Sequence, residues 1–273
     1  MSAAPQLADD AITDRIGVLL KEFKLPSAAV EMVPRLLAAG HDSALDTVLE
    51  VLEVEADDRL QRRIVRLRRA SQLPPGKTFD TFNEKRLPSQ LTRKIKDLAR
   101  GDFVDQAINV LAFGLPGTGK SHACAALGHA LIEAGRSVLF VPTFAVVQAL
   151  LAAKRDLDLP RALRKLDHFE VLILDDLGYV QQSAEETEVL FTLMSERYER
   201  RSMVITSNLV FSQWEQIFKN PMTTAAAIDR VVHHSAILEF DVPSYRGEAA
   251  KSRKERPEKG TPRKGEQVQA PNP

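Results

Sequence analysis

The stretch GLPGTGKSH, residues 114–122, constrains the fold of this chain more than any other. Gly114, Gly119, Lys120 and Ser121 satisfy the spacing G-x-x-x-x-G-K-[ST], and Leu115, Pro116, Gly117, Thr118 and His122 complete the loop. The spacing has a physical reason. Glycines let backbone N–H groups turn inward on an anion with no Cβ in the way, and a helix opening near Lys120 aims its dipole at the same anion. On this pattern Lys120 neutralises the outer phosphates of a nucleotide and the Ser121 hydroxyl ligates Mg²⁺. A flexible turn would carry similar residues, so context decides. An apolar strand, NVLAFG, stands before the loop and a helix, SHACAALGHALIEAG, after it. The context is that of a phosphate cradle.

Strand and helix alternate from there on. Strands are predicted at SVLFVPT, VLILDD, SMVITSN and AILEF, with helical segments between them, AEETEVLFTLMSERYERR among these. Strands apolar on both faces and separated by helices imply an α/β fold, a parallel sheet flanked by helices. The first ~70 residues carry only helical periodicity, for example Ile12, Ile16, Leu19, Leu20 and Phe23 in one stripe, with Gly40 as a helix stop. The stretch SQLPPGKTFDTFNEKRLPSQ, with Pro74, Pro75, Gly76 and Pro88, cannot be one continuous helix and is expected to be a linker. The expected organisation is a small all-helical N-terminal domain (1–72), a nucleotide-binding domain (73–246) and a charged tail (247–273). That tail lacks bulky apolar residues and sets seven lysines and arginines against four glutamates, so disorder is expected there.

Net charge is zero, 37 basic against 37 acidic residues, and gives no global pointer to nucleic acid. The single cysteine, Cys124, excludes an intramolecular disulfide and reads as buried packing. With no leader-like N-terminus and no apolar run of ~20 residues, a cytoplasmic protein without membrane partners is expected.

Two further strand ends supply polar groups. VLILDD delivers Asp175, the first carboxylate after the apolar run, to hold Mg²⁺, and Asp176, placed to polarise an attacking water. Aspartate reaches less far than glutamate in that role. VITSN ends in Asn208, which can orient the water or sense the terminal phosphate; Thr206 is a weaker candidate for the same task. An asparagine capping the helix FSQWEQIF is an equal reading of Asn208. An arginine from a neighbouring subunit would complete such a site, with Arg230 leading and Arg201 and Arg246 as rivals. A surface salt bridge is the plain alternative for each.

The segments NVLAFGLPGTGKSH, LILDDLGY, SERYERRSMVITSNLVFSQW and AAIDRVVHHSAILEF…SYR resemble the IstB-like ATPases, helpers of one class of bacterial insertion sequences. These are related to replicative helicase loaders of the DnaC type. The likeness spans roughly residues 75–246. It implies an AAA+ P-loop NTPase whose sheet sets the strands of Gly114, Asp175 and Asn208 side by side. It implies an ATPase that uses ATP and Mg²⁺ to form homo-oligomers on duplex DNA and assists a partner transposase in target selection. By motif match, residues 114–121 bind phosphate, Asp175 and Asp176 act with Mg²⁺, Asn208 is a sensor and Arg230 acts in trans. Asp176 departs from the glutamate many AAA+ members carry.

For DNA, the run from Arg59 to Arg69 offers Arg59, Arg62, Arg63, Arg66 and Arg69 around an apolar stripe of Leu60, Ile64 and Leu67. A solvated face, or pairing with the acidic run at 50–58 of a neighbour, accounts for the run equally well. No recognition helix is visible, so contacts would fall on the backbone with little sequence preference. His233 and His234 lack a third metal ligand and read as helix-end residues. A replicative helicase loader and a small-molecule kinase are the competing functions, the latter weakened by missing lid arginines.

Overall fold

The computed structural model describes residues 4–178, 183–209, 213–214, 221–232 and 234–245. Five parallel strands form one sheet: β1 (Asn109–Gly114), β2 (Val138–Pro142), β3 (Val171–Leu177), β4 (Ser202–Ser207) and β5 (Ser235–Phe240), in the order β2-β3-β4-β1-β5. Alternate residues of each strand face opposite layers. Val110, Ala112, Phe140, Ile173 and Val204 enter one core. Leu111, Phe113, Leu139, Leu172, Leu174, Met203 and Ile205 enter the other. Because both faces are covered, these strands read as continuous apolar runs rather than alternating ones.

The first core is roofed by α6 (Lys120–Glu133), α4 (Ser89–Leu98) and the end of α3 (Ala44–Ala70). The second is closed by α7 (Thr143–Arg155), α8 (Leu159–Asp167), α9 (Ala184–Arg197) and α10 (Pro221–Val232). A short α5 (Asp102–Asp105) leads into β1. Burial of these two faces is the principal stabilising term for a sheet of this kind, at roughly 25 cal/mol per Å² of apolar surface.

Two N-terminal helices, α1 (Ala4–Glu22) and α2 (Pro26–Ala38), pack with the first half of α3 around Ile16, Leu20, Val33 and Leu45. The stripe expected from sequence is the buried one: Ile16, Leu19, Leu20 and Phe23 are all inside. Gly40 ends α2 as expected, at φ +72, with the N–H groups of Gly40 and His41 donating to Leu37 and Leu36 carbonyls. On α3, Ile64 and Leu67 join the sheet's first core, whereas Leu60 remains largely exposed. The segment between α3 and α4, expected to be a linker, is packed: Leu73, Phe82 and Leu87 are buried in that same core.

Helix α9 stops at Arg197, four residues short of the helical reading. The Arg197 guanidinium turns inward, Arg200 and Arg201 donate their N–H groups back to its carbonyl, and Glu199 adopts φ +55. The helix FSQWEQIF, His233, Arg246 and the tail from 247 lie outside the described residues, save Gln213 and Trp214. Among the described residues no helix is long and apolar enough to cross a membrane.

Candidate functional site

The parallel sheet gathers its polar strand ends at one edge, where α/β folds bind ligands. At β1, Gly114 has φ +150, and a Cβ there would lie 2.5 Å from the Phe240 carbonyl oxygen on β5. Only glycine fits. Gly117 (φ +82) and Gly119 (φ +103) take left-handed backbone, which wraps the loop over the start of α6. Thr118 is buried and its hydroxyl donates to the Leu115 carbonyl at 2.9 Å, tightening the turn. Ser121 and His122 occupy the first turn of α6, whose N-terminal N–H groups have no intrahelical acceptor.

Lys120 is 4% exposed. Its ammonium donates to the carbonyls of Gly114 (2.6 Å) and Leu115 (2.9 Å) and to Asn208 Oδ1 (2.8 Å). The third bond reaches across from β4, so the loop on β1 and the polar end of β4 meet at one cation. Asn208 thus lies beside the phosphate loop; its reading as a helix cap falls on residues outside those described.

The carboxylates come from an irregularity. Leu174 pairs with Ile205 and Leu177 with Ser207, so β3 spends three steps where β4 spends two. This extra residue is a bulge. It places Asp176 at φ +59, a left-handed conformation that aspartate tolerates better than most residues. Thr206, fully buried, spans the bulge: its hydroxyl accepts the Asp176 backbone N–H at 2.8 Å and donates to Asp175 Oδ1 at 2.6 Å. Thr143, opening α7, donates its hydroxyl to the Asp175 carbonyl at 2.9 Å.

A cleft of about 370 Å³ gathers some of these groups, and Asp175 is not among the residues that line it. Pro116, Gly117, Gly119, Lys120, Ser121, His122, Asp176 and Asn208 line one side of it. The other side, which sequence reasoning missed, belongs to the segment before α4 and to Tyr245. Phe82 lies 5.2 Å from the His122 ring, His122 Nε2 is 3.1 Å from both Thr81 Oγ1 and the Thr78 carbonyl, and Tyr245 donates its N–H to the Gly117 carbonyl at 2.8 Å. The Arg86 guanidinium stacks over the Tyr245 ring at 4.1 Å. The available signal was Phe79 and Phe82, aromatic residues out of place in a solvated linker.

The donor set suits a Mg–nucleotide. Backbone N–H groups and Lys120 match polyphosphate, and a serine hydroxyl with a carboxylate is the hard-oxygen ligation Mg²⁺ takes. No group of three or more histidine, cysteine or acidic residues that could hold a metal ion occurs among the described residues. Cys124 is buried on α6, and burial pushes its thiol far up, with the Asp175 charge adding to the effect. It is packing, as expected.

The other candidates sit elsewhere. Arg230 lies in the last turn of α10, two residues before its end; its side chain is outside the described set, as is Arg246. Arg201 lies just beyond α9, next to Ser202, which opens β4 at the opposite edge of the sheet. His234 faces Glu199 at 3.4 Å. Along α3 the arginines divide. Arg59 bonds Glu55 at 2.6 Å and stacks over Phe23 at 4.1 Å, and Arg62 reaches Glu55 and the Asp58 carbonyl. The Arg59 hydrogen bond draws the Glu55 carboxyl below its usual range. Within the acidic run Glu55 is paired inside its own helix, while Glu53 faces Arg15 of α1 at 3.8 Å. Arg63, Arg66 and Arg69 have no carboxylate partner among the described residues.

The family model described as IstB-like ATP binding protein matches residues 19–254. An insertion sequence ATP-binding protein of Sinorhizobium fredii is 43% identical over 239 residues, covering 86% of this chain and 80% of the relative. The insertion sequence IS21 ATP-binding protein of Pseudomonas aeruginosa is 34% identical over 233 residues, with 85% and 88% covered. Among solved structures, domain III of the replication initiation protein DnaA from Thermotoga maritima superposes with a TM-score of 0.53 at 15% identity, covering 67% of this chain and 75% of that one. AMPPCP-bound DnaA from Aquifex aeolicus gives 0.51 at 16%, with 68% of this chain and 56% of that one covered, so the chain spans just over half of it. The fold is that of the AAA+ P-loop NTPases.

Proposed function

The chain belongs to the family of IstB-like ATP-binding proteins, and on that premise we propose that it is a Mg²⁺-dependent ATPase whose nucleotide governs homo-oligomer assembly on duplex DNA in support of a transposase. One observation carries the nucleotide half: the glycine loop, Lys120, Asp176 and Asn208 line one cleft. The relatives' names as insertion sequence ATP-binding proteins support the transposition half.

In this reading the loop amides at 117–121 and Lys120 bind the phosphates. Lys120 exchanges bonds to loop carbonyls for bonds to phosphate oxygens, which are stronger because both partners are charged. Ser121 and Asp175 would hold Mg²⁺, which when bound screens the charge between the outer phosphates. Asp176, aimed by the bulge, accepts a hydrogen bond from the attacking water, while Asn208 holds Lys120 and reads the terminal phosphate. Arg230 is proposed to reach a neighbouring subunit's nucleotide, and Arg63, Arg66 and Arg69 are better placed for DNA phosphates than Arg59 and Arg62, which share Glu55 as a partner.

Steady-state ATP hydrolysis with and without duplex DNA tests the proposal. Duplex DNA should stimulate turnover, and Asp176→Asn should retain ATP binding while lowering turnover by ~100-fold or more. Unchanged turnover in that variant would remove Asp176 from its role. Copurification with a replicative helicase, without stimulation by duplex DNA, would move the chain to the loader function.

A further inference from the structure

The last two residues of β4 and the one that follows them each hold a different neighbour. Asn208 takes Lys120, the Ser207 hydroxyl donates to the Leu177 carbonyl at 2.9 Å, and Thr206 lies between the two aspartates. Proton accounting fixes which way the threonine hydroxyl points. Its oxygen already accepts the Asp176 N–H, so its single proton is left for Asp175 Oδ1, 2.6 Å away. With Thr206 at 0% exposure, no solvent stands in for the hydroxyl if it is removed.

We propose that Thr206 is a positioning residue for metal-dependent nucleotide binding, fixing one oxygen of Asp175 so that a single carboxylate oxygen remains for the cation or its bound water. The same hydroxyl pins the bulge that carries Asp176. One side chain on the central strand therefore sets the aim of both carboxylates. A residue serving only to fill the strand would be replaceable by valine, which has the same shape and similar β-propensity. Thr206 acts through Asp175 and is not itself a catalytic residue. The inference rests on the nucleotide-site reading above.

The experiment measures affinity for a fluorescent ATP analogue with magnesium and with EDTA, in the wild-type chain and in Thr206→Val, Thr206→Ala and Thr206→Ser. Affinity in EDTA reports on the fold and the phosphate loop and should stay within about twofold in all four. Magnesium should tighten wild-type binding. Both hydroxyl-free variants should require ~10-fold more magnesium for that tightening, as expected when a group that orients a metal ligand is lost. Thr206→Ser should restore wild-type behaviour. A normal magnesium response in Thr206→Val or Thr206→Ala overturns the inference while leaving the nucleotide site standing. Absence of analogue binding by the wild-type chain would instead overturn the site reading, and this inference with it.

Discussion

Two cations are buried at opposite edges of the same sheet, and they serve opposite ends. Lys120, 4% exposed, sits at the edge where β1 and β4 finish, bonded to two loop carbonyls and Asn208. Arg197, 1% exposed, sits where β3 and β4 begin and donates to the carbonyls of Leu166, Phe169, Glu170 and Ser202. Burial of Arg197 pulls its guanidinium down to about 10, against the pull of Asp167, and its Nε has no hydrogen-bond partner among the described residues. Both side chains are thus desolvated cations held by main-chain oxygens. What separates them is whether those oxygens can be given up. The partners of Lys120 belong to a glycine loop beside a cleft that can offer phosphate oxygens in exchange. Those of Arg197 belong to the packed α8–β3 junction and the start of β4, and nothing replaces them. A buried cation marks a binding site only where its bonds are exchangeable.

Truncating each cation should therefore break different things. Arg197→Ala removes a donor from four carbonyls and should lower stability by ~4 kcal/mol in denaturant titration. If the folded fraction is recovered, its nucleotide affinity should be unchanged; a variant as stable as wild type would show that the clasp contributes nothing. Lys120→Ala should do the reverse. It should weaken ATP binding by roughly 100-fold or more, since hydrogen bonds to charged groups contribute ~1.5–3 kcal/mol each, with a melting temperature close to wild type. Retained ATP affinity would remove Lys120 from the site.

A smaller effect sharpens the stability side. Glu170 precedes β3 and accepts from the Ser137 N–H (2.8 Å), the Ser137 hydroxyl (3.0 Å) and Arg136 (3.1 Å). Burial raises its carboxyl, but these three donors outweigh it and bring the group below its usual value. A carboxyl lowered on folding stabilises the fold above the unfolded value of about 4.3 and loses that contribution as pH falls through the folded value. The wild-type melting temperature should fall more steeply than that of Glu170→Gln as pH drops below about 4. Parallel slopes would mean that Glu170 does not titrate with folding.

Much of the sheet was legible because its signals are local. The run 109–114 is β1 residue for residue, and the glycine spacing located the loop without any tertiary information. Asp175, Asp176 and Asn208 were legible as polar groups closing apolar runs. Thr206 was misjudged in kind: read as a group facing the water, it is buried against Asp175, and only the β3–β4 register with its bulge reveals that. Register is a property of two strands, so no local window contains it. The wall formed by residues 77–83 and Tyr245 escaped for the same reason, since it joins segments more than 160 positions apart, as in the bond from Tyr245 to the Asn83 carbonyl. Counting arginines on α3 also overstated the cations available there, because Glu55, a shared partner, lies one turn away.

The claim that the nucleotide is a switch for assembly is tested most directly by particle mass. Light scattering of the wild-type chain with duplex DNA should report large DNA-bound oligomers when ATP and magnesium are present and small species when they are withheld, with Lys120→Ala small in both. A wild-type monomer in the presence of both ligands, or assemblies of equal mass with and without ATP, would contradict it.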